Sequence, residues 1–151
     1  MTYDHAQKSL IYLILLGVCL LSIGIGLVAP LGTPLSSALS GGGAVGAFFA
    51  FSFKYLRVRD EGDCLAIRFG PLPVFRRRIP YSQITGVEPG RSWVIEGWGI
   101  HNIGRGWIYN LWSFDCVVVH LGAKTVRIGT DDVDGLVGFV KARIAEQPAP
   151  H

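Results

Sequence analysis

Charged side chains are absent from residue 9 to residue 53. Residues 9–29 are dominated by Leu and Ile, residues 35–53 by small and aromatic side chains, and residues 30–34 between them begin and end with proline. At about 1.5 Å per residue the first stretch makes a helix of about 31 Å, close to the thickness of a bilayer's hydrocarbon core. Pro30 stands where that helix should stop. The pattern predicts two membrane spans, about 9–29 and 35–53, joined by an outer turn. A cleaved secretory signal would need a shorter apolar core, a more basic start and small residues ahead of the cut. Here Lys8 is the only Lys or Arg upstream, and Leu27 stands where the small residue three before the cut belongs.

Ser36, Ser37, Ser40, Gly41, Gly42 and Gly43 dilute the second span. Ala38, Gly42, Gly46 and Ala50 recur every four residues, and Ser22 and Gly26 offer a matching pair on the first span. Small residues let lipid-embedded backbones approach closely. The stripe therefore predicts packing within the hairpin, and the same face would serve a homo-oligomer. Lys8 precedes the first span, and Lys54, Arg57 and Arg59 follow the second, while the turn carries no charge. Positive residues stay on the cytoplasmic side. Both termini are thus expected in the cytoplasm, with the hairpin in the cytoplasmic (inner) membrane and residues 1–8 as a tail.

Beyond residue 53 the pattern shortens. Residues 53–59 and 64–69 alternate around a turn containing Gly62, which is a hairpin signature. Residues 74–79 resume as a strand with Arg76, Arg77 and Arg78 in its middle, and Pro80 places it at a sheet edge. Residues 84–88, closed by Pro89 and Gly90, then 93–101, 106–111, 114–121 and 125–128 read as further strands, the last two joined by a tight turn at Gly122. The period then changes. Thr130, Asp131 and Asp132 suit a helix start. Val133, Leu136, Val137, Val140 and Ile144 line one helical face over about 131–146, and 147–151 is a tail. Several short strands closed by one amphipathic helix predict an open barrel or bent sheet over 54–146, plugged by its last helix. The fold class is a membrane-anchored α+β chain.

Charge is uneven. Residues 54–80 hold seven basic and three acidic residues, whereas residues 81–146 hold six basic and seven acidic. The positive excess lies beside the expected membrane. Cys19, Cys64 and Cys116 have no close Cys or His at metal-ligand spacing and read as packed thiols, so no metal or cofactor is expected.

Several segments together carry a family resemblance. They are Phe69-Gly70-Pro71-Leu72-Pro73, Ile79-Pro80-Tyr81 leading to Ile84, Gly97-Trp98-Gly99-Ile100, Gly106-Trp107-Ile108-Tyr109-Asn110, Phe114-Asp115 and Arg127-Ile128-Gly129-Thr130-Asp131-Asp132. The chain resembles small bacterial membrane proteins that carry a pleckstrin-homology-like (PH-like) domain after a two-span hairpin. The resemblance implies two roughly orthogonal antiparallel sheets capped by a C-terminal helix. It supplies no catalytic residues.

Three constellations are candidates for chemistry. Lys54, Arg57, Arg59, Arg76, Arg77 and Arg78 could face anionic headgroups, although alternate arginines of one strand point to opposite faces. Trp98, Trp107, Tyr109 and Trp112, with Trp93, could line a partner groove or pack in a small core. His101, Asp115 and His120 are where an enzyme would be sought, but no nucleophile motif, His-Glu-x-x-His or phosphate-cradling glycine loop accompanies them. Catalysis is not expected. Nucleic acid is not an expected partner either, because the basic excess is small and topology accounts for its position. The sequence favours a non-enzymatic domain that docks a protein partner at the cytoplasmic membrane face. The alternative is binding of anionic lipid headgroups through the basic edge at Arg76–Arg78.

Overall fold

The computed structural model describes residues 2–72, 74–92, 99–102, 104 and 106–146. The chain is α+β, with two long apolar helices, two sheets and a C-terminal helix. It divides into two compact units: Lys8–Tyr55 with Phe69–Phe75, and Met1–Gln7 with Leu56–Arg68 and Arg76–His151.

The first unit is built on α1 (Ile11–Val28) and α2 (Thr33–Ser52). Both are long and apolar enough to cross a membrane, with mean hydropathies of 2.7 and 1.3. Pro34 falls inside the first turn of α2 instead of ahead of it. Its missing N–H is one that a helix start leaves unbonded in any case.

Tyr12, Leu16, Cys19, Ile23 and Gly26 of α1 and Ser36, Ser40, Gly43, Ala47 and Ala50 of α2, none of them exposed, lie along the line where the helices meet. A Cβ on Gly26 would lie 2.5 Å from Ser40 Oγ, and one on Gly43 would lie 2.7 Å from Ile23 Cγ1 and 2.8 Å from the Cys19 carbonyl oxygen. Ser22 Oγ donates to the Leu39 carbonyl at 3.1 Å. Of the expected stripe, Ser22, Gly26, Gly46 and Ala50 belong to this seam, but Ala38 and Gly42 are exposed and face away. The reason is helical period. A strict four-residue step drifts about 40° around a helix of 3.6 residues per turn, whereas alternating steps of four and three hold one line.

Four strands, β1 (Asp4–Lys8), β2 (Tyr55–Asp60), β3 (Cys64–Gly70) and β4 (Arg76–Pro80), form one sheet in that order, most of it in the second unit. The expected N-terminal tail is therefore a strand from Asp4 onward. Its sequence has no apolar alternation; an open edge on β2 with backbone groups to satisfy makes it one. Glu61 N–H donates to the Cys64 carbonyl at 3.0 Å, and Gly62 supplies the turn with φ +90°.

The second sheet contains β5 (Gly86–Arg91), β6 (Gly99–Asn102), β7 (Gly106–Asn110), β8 (Asp115–Leu121) and β9 (Lys124–Gly129), in the order β5-β8-β9-β7-β6. It is not wholly antiparallel: β9 lies between β8 and β7 and runs parallel to β7. Pro89 lies within β5 and does not end it, which an edge strand permits. The expected strand over 93–101 is described only from Gly99, and residues 93–98 and the tail 147–151 lie outside the described residues.

Leu56, Val58, Leu65, Ile67 and Ile79 of the first sheet, and Val117, Val119, Val126 and Ile128 of the second, are buried. Helix α3 (Val133–Ala145) packs on β5, β8 and the short turn Tyr81–Gln83, burying Leu136, Val137 and Val140. Asp132 caps it by accepting the Gly135 N–H at 3.2 Å and also accepts the Tyr3 hydroxyl at 3.0 Å. Burial, then that bond, pushes the Tyr3 hydroxyl well above its ordinary range.

A buried carboxylate fastens α3 to β2. The Asp60 side chain, 1% exposed, accepts Arg143 Nη2 at 2.6 Å, the Tyr81 hydroxyl at 2.9 Å and the Gly62 N–H at 2.9 Å. Burial works to raise the Asp60 carboxyl, but the bonds from Arg143, Gly62 and Tyr81 outweigh it and hold the group below its ordinary value. The Arg143 guanidinium lies 5.7 Å from the ring centres of both Tyr81 and Phe139.

Candidate functional site

The first sheet has one buried face and one arginine face. Side chains alternate along a strand. On β2, Leu56, Val58 and Asp60 point inward while Arg57 and Arg59 are exposed. In the β3–β4 register Arg68 stands opposite Arg76, Ala66 opposite Arg78 and Cys64 opposite Pro80. The Glu61–Cys64 backbone bond fixes the β2–β3 register as well. Counting back from it sets Arg59 opposite Ala66 and Arg57 opposite Arg68. Arg57, Arg59, Arg68, Arg76 and Arg78 therefore share one face of three neighbouring strands, with Ala66 in their midst.

Two carboxylates lie among them. Asp4 of β1 accepts Arg57 Nε and Nη2 at 2.6 Å each and lies 3.7 Å from Arg59 Nε. The Arg57 hydrogen bond holds the Asp4 carboxyl below its ordinary value. Glu61 pairs with Arg68 Nη2 and, at 2.8 Å, with Arg78 Nε. A third carboxylate, Asp63, lies against Cys64 at the turn, and five arginines against three carboxylates still leave the face positive. The guanidinium side chains stay open, at 44% exposure for Arg57 and 62% for Arg78.

Arg77 is not part of this face. It turns to the other side of β4, where it donates to the Tyr109 hydroxyl at 3.4 Å and lies 6.0 Å from that ring. Lys54 belongs to the helical unit, its ammonium 5.6 Å from the Phe51 ring and 6.0 Å from that of Tyr12. Arg68, Glu61 and Asp4 escaped the reading of the sequence. Arg68 was within reach, because a hairpin turning at Gly62 sets Arg57 opposite it. Asp4 was not, because nothing in residues 4–8 announces a strand.

The other candidates disperse. Tyr109 is buried with the core, Trp107 and Trp112 are exposed, and Trp98 and Trp93 lie outside the described residues. His120 Nε2 lies 3.0 Å from Glu88, Asp115 lies 3.6 Å from Arg91, and His101 stands opposite Ile108. These three do not form a nucleophile–base arrangement. Cys64 and Cys116 are buried free thiols, and burial raises the Cys64 pKa. Among the described residues no group of three or more His, Cys, Asp or Glu is placed to hold a metal ion. The chain matches no protein-family model and none of the curated proteins.

Proposed function

We propose that this is a multi-pass protein of the bacterial cytoplasmic membrane, both termini cytoplasmic, whose PH-like domain holds an anionic bilayer surface through the arginine face of β1–β4. The observation that carries the reading is the gathering of five arginines on one face of a sheet whose second strand starts at Tyr55, three residues after α2 ends at Ser52. Basic residues near an anionic leaflet contribute about 1 kcal/mol each. Asp4 and Glu61 offset part of that. The outward sides of α1 and α2 support the membrane half of the proposal: Leu13, Ile14, Val18 and Leu21 of α1 and Val45 and Phe48 of α2 are all exposed. A water-soluble helix pair would leave charge there instead. The domain acts by binding, without catalysis.

The test is lipid retention. The full-length chain, extracted mildly from membranes containing phosphatidylserine, is weighed intact by native mass spectrometry beside a variant with Arg57, Arg59, Arg76 and Arg78 changed to Gln. The variant is expected to keep fewer anionic lipids, and equal retention would sink the reading. Protein docking is the second reading, favoured by exposed Trp107, Trp112 and Phe114. A stoichiometric protein crosslinked equally to both forms would promote it.

A further inference from the structure

The surface reading needs only positive charge on one face. Arg68 and Arg78 carry a more specific arrangement. They come from neighbouring strands and converge on a single carboxylate, that of Glu61, with one oxygen taken by each. That carboxylate is 20% exposed and its Oε2 lies 3.9 Å from Cys64 Sγ, so it leans inward over the face. Asp4 is held differently: Arg57 grips both of its oxygens from the side, and Arg59 stands farther off at 3.7 Å. Beside the Arg68–Arg78 pair lies Ala66, small and 1% exposed, covered between Arg59 and Arg78. Its neighbours directly opposite are about 5 Å away and its diagonal ones about 7–8 Å, within the reach of arginine side chains.

Guanidinium pairs recognise carboxylate and phosphate oxygens through the same geometry. Glu61 fills such a fork from within. We propose that Arg68 and Arg78, flanked by Arg59 and Arg76 over Ala66, form a discrete site for a phosphate monoester, which displaces the Glu61 carboxylate. No covalent step is involved. Glu61 is the resident stand-in, mounted on the turn at Gly62, and its departure frees two guanidiniums that already face one point. A phosphate monoester carries up to two charges and a third oxygen, which the carboxylate lacks. The site rests on the surface reading but asks more of the same face.

Two charge-matched variants separate the two. Glu61→Gln and Asp4→Asn each remove one negative charge from this face, but only the first empties the fork. The full-length chain in phosphatidylcholine nanodiscs is titrated with inorganic phosphate, and in parallel discs with phosphatidic acid replacing part of the phosphatidylcholine. Arginine Nε–H resonances report occupancy. In the wild type, Arg68 and Arg78 should shift saturably while Arg57 does not. Glu61→Gln should tighten binding about tenfold, Asp4→Asn hardly at all, and Arg68→Gln should abolish saturation. A response to inorganic phosphate in pure phosphatidylcholine discs supports the site and makes its ligand a soluble phosphate; a response to phosphatidic acid alone supports it and makes the ligand a headgroup. Equal strengthening by Glu61→Gln and Asp4→Asn would overturn the discrete site and leave the surface reading standing. A wild type whose arginines ignore both probes would overturn the site without recourse to any variant. Undiminished lipid retention in the four-arginine variant is the separate result that removes the surface reading.

Discussion

Asp60 and Glu61 are adjacent carboxylates, each held by arginine, on opposite faces of one sheet. Asp60 ends β2 with its side chain inward, 1% exposed and bound by three donors. Glu61 opens the turn with its side chain on the outer face, 20% exposed and held by two guanidiniums that are themselves open to solvent. One step along the chain reverses the consequence of the same chemistry. A buried carboxylate stripped of its partners is costly, so its network fixes the fold. A partly buried one between solvent-open guanidiniums is partly screened and contributes less to stability, so it is free to exchange its partners for a ligand.

The largest effect should come from breaking the inner cluster. Asp60→Ala is expected to destabilise the domain by about 3 kcal/mol, because it strands the Tyr81 hydroxyl and removes the nearer of the two carboxylates paired with Arg143. Denaturant unfolding followed by tryptophan fluorescence measures it. A midpoint like the wild type's would place Asp60 in the same class as Glu61 and erase the contrast.

The helical unit holds a second adjacent pair. Gly43 lies against α1 with a Cβ position 2.7 Å from Ile23, whereas a Cβ on Gly42 meets nothing within 4 Å. Gly43→Val should cost about 1–3 kcal/mol of helix association through overpacking, and Gly42→Val should cost almost none. Detergent-driven unfolding of the two variants decides it, and equal losses would mean that the two helices meet along another line.

Tyr81→Phe removes one of the three donors to Asp60 and should cost about 1 kcal/mol in the same unfolding assay. Acid tests the inner cluster without a large perturbation. The folded Asp60 carboxyl lies below its ordinary 3.8. As pH falls, the unfolded chain therefore takes up that proton first. The stability Asp60 contributes is complete above about pH 5 and is lost as pH drops through the folded value. Asp60→Asn should flatten that acid limb, and an unchanged limb would assign it to other carboxylates. A small effect on the stability of the domain belongs to Glu61→Gln, below about 1 kcal/mol. A loss comparable to that of Asp60→Ala would show that Glu61 is structural and would end its candidacy as a displaceable occupant.

Much of this was legible in the chain. The two apolar helices announce themselves, because lipid-length apolar runs need no partner to be recognised. The face of α3 that is buried through Leu136, Val137 and Val140 follows from helical period alone. The opposite orientations of Arg76 and Arg77 follow from strand alternation. The misses have physical causes. The small-residue stripe assumes a step of four, which the helix does not keep. Strand β1 has no apolar alternation, since pairing with β2 and not burial of one face makes it a strand. The parallel run of β7 and β9 depends on where β9 inserts, and no local pattern encodes that.

Local sequence determined what depends on period and composition: where the helices and most strands run, which face of each is apolar, and where positive charge accumulates. Tertiary structure decided what depends on register and on neighbours distant in the chain. It brought Arg68 into line with Arg57 and Arg76, set Asp4 beside Arg57, and sent the Asp60 carboxylate to Arg143, 83 residues away. Periodicity is a property of one segment. A site made from three strands exists only once their registers are fixed against one another, and a shift of one residue in any of them would turn its arginines to the other face.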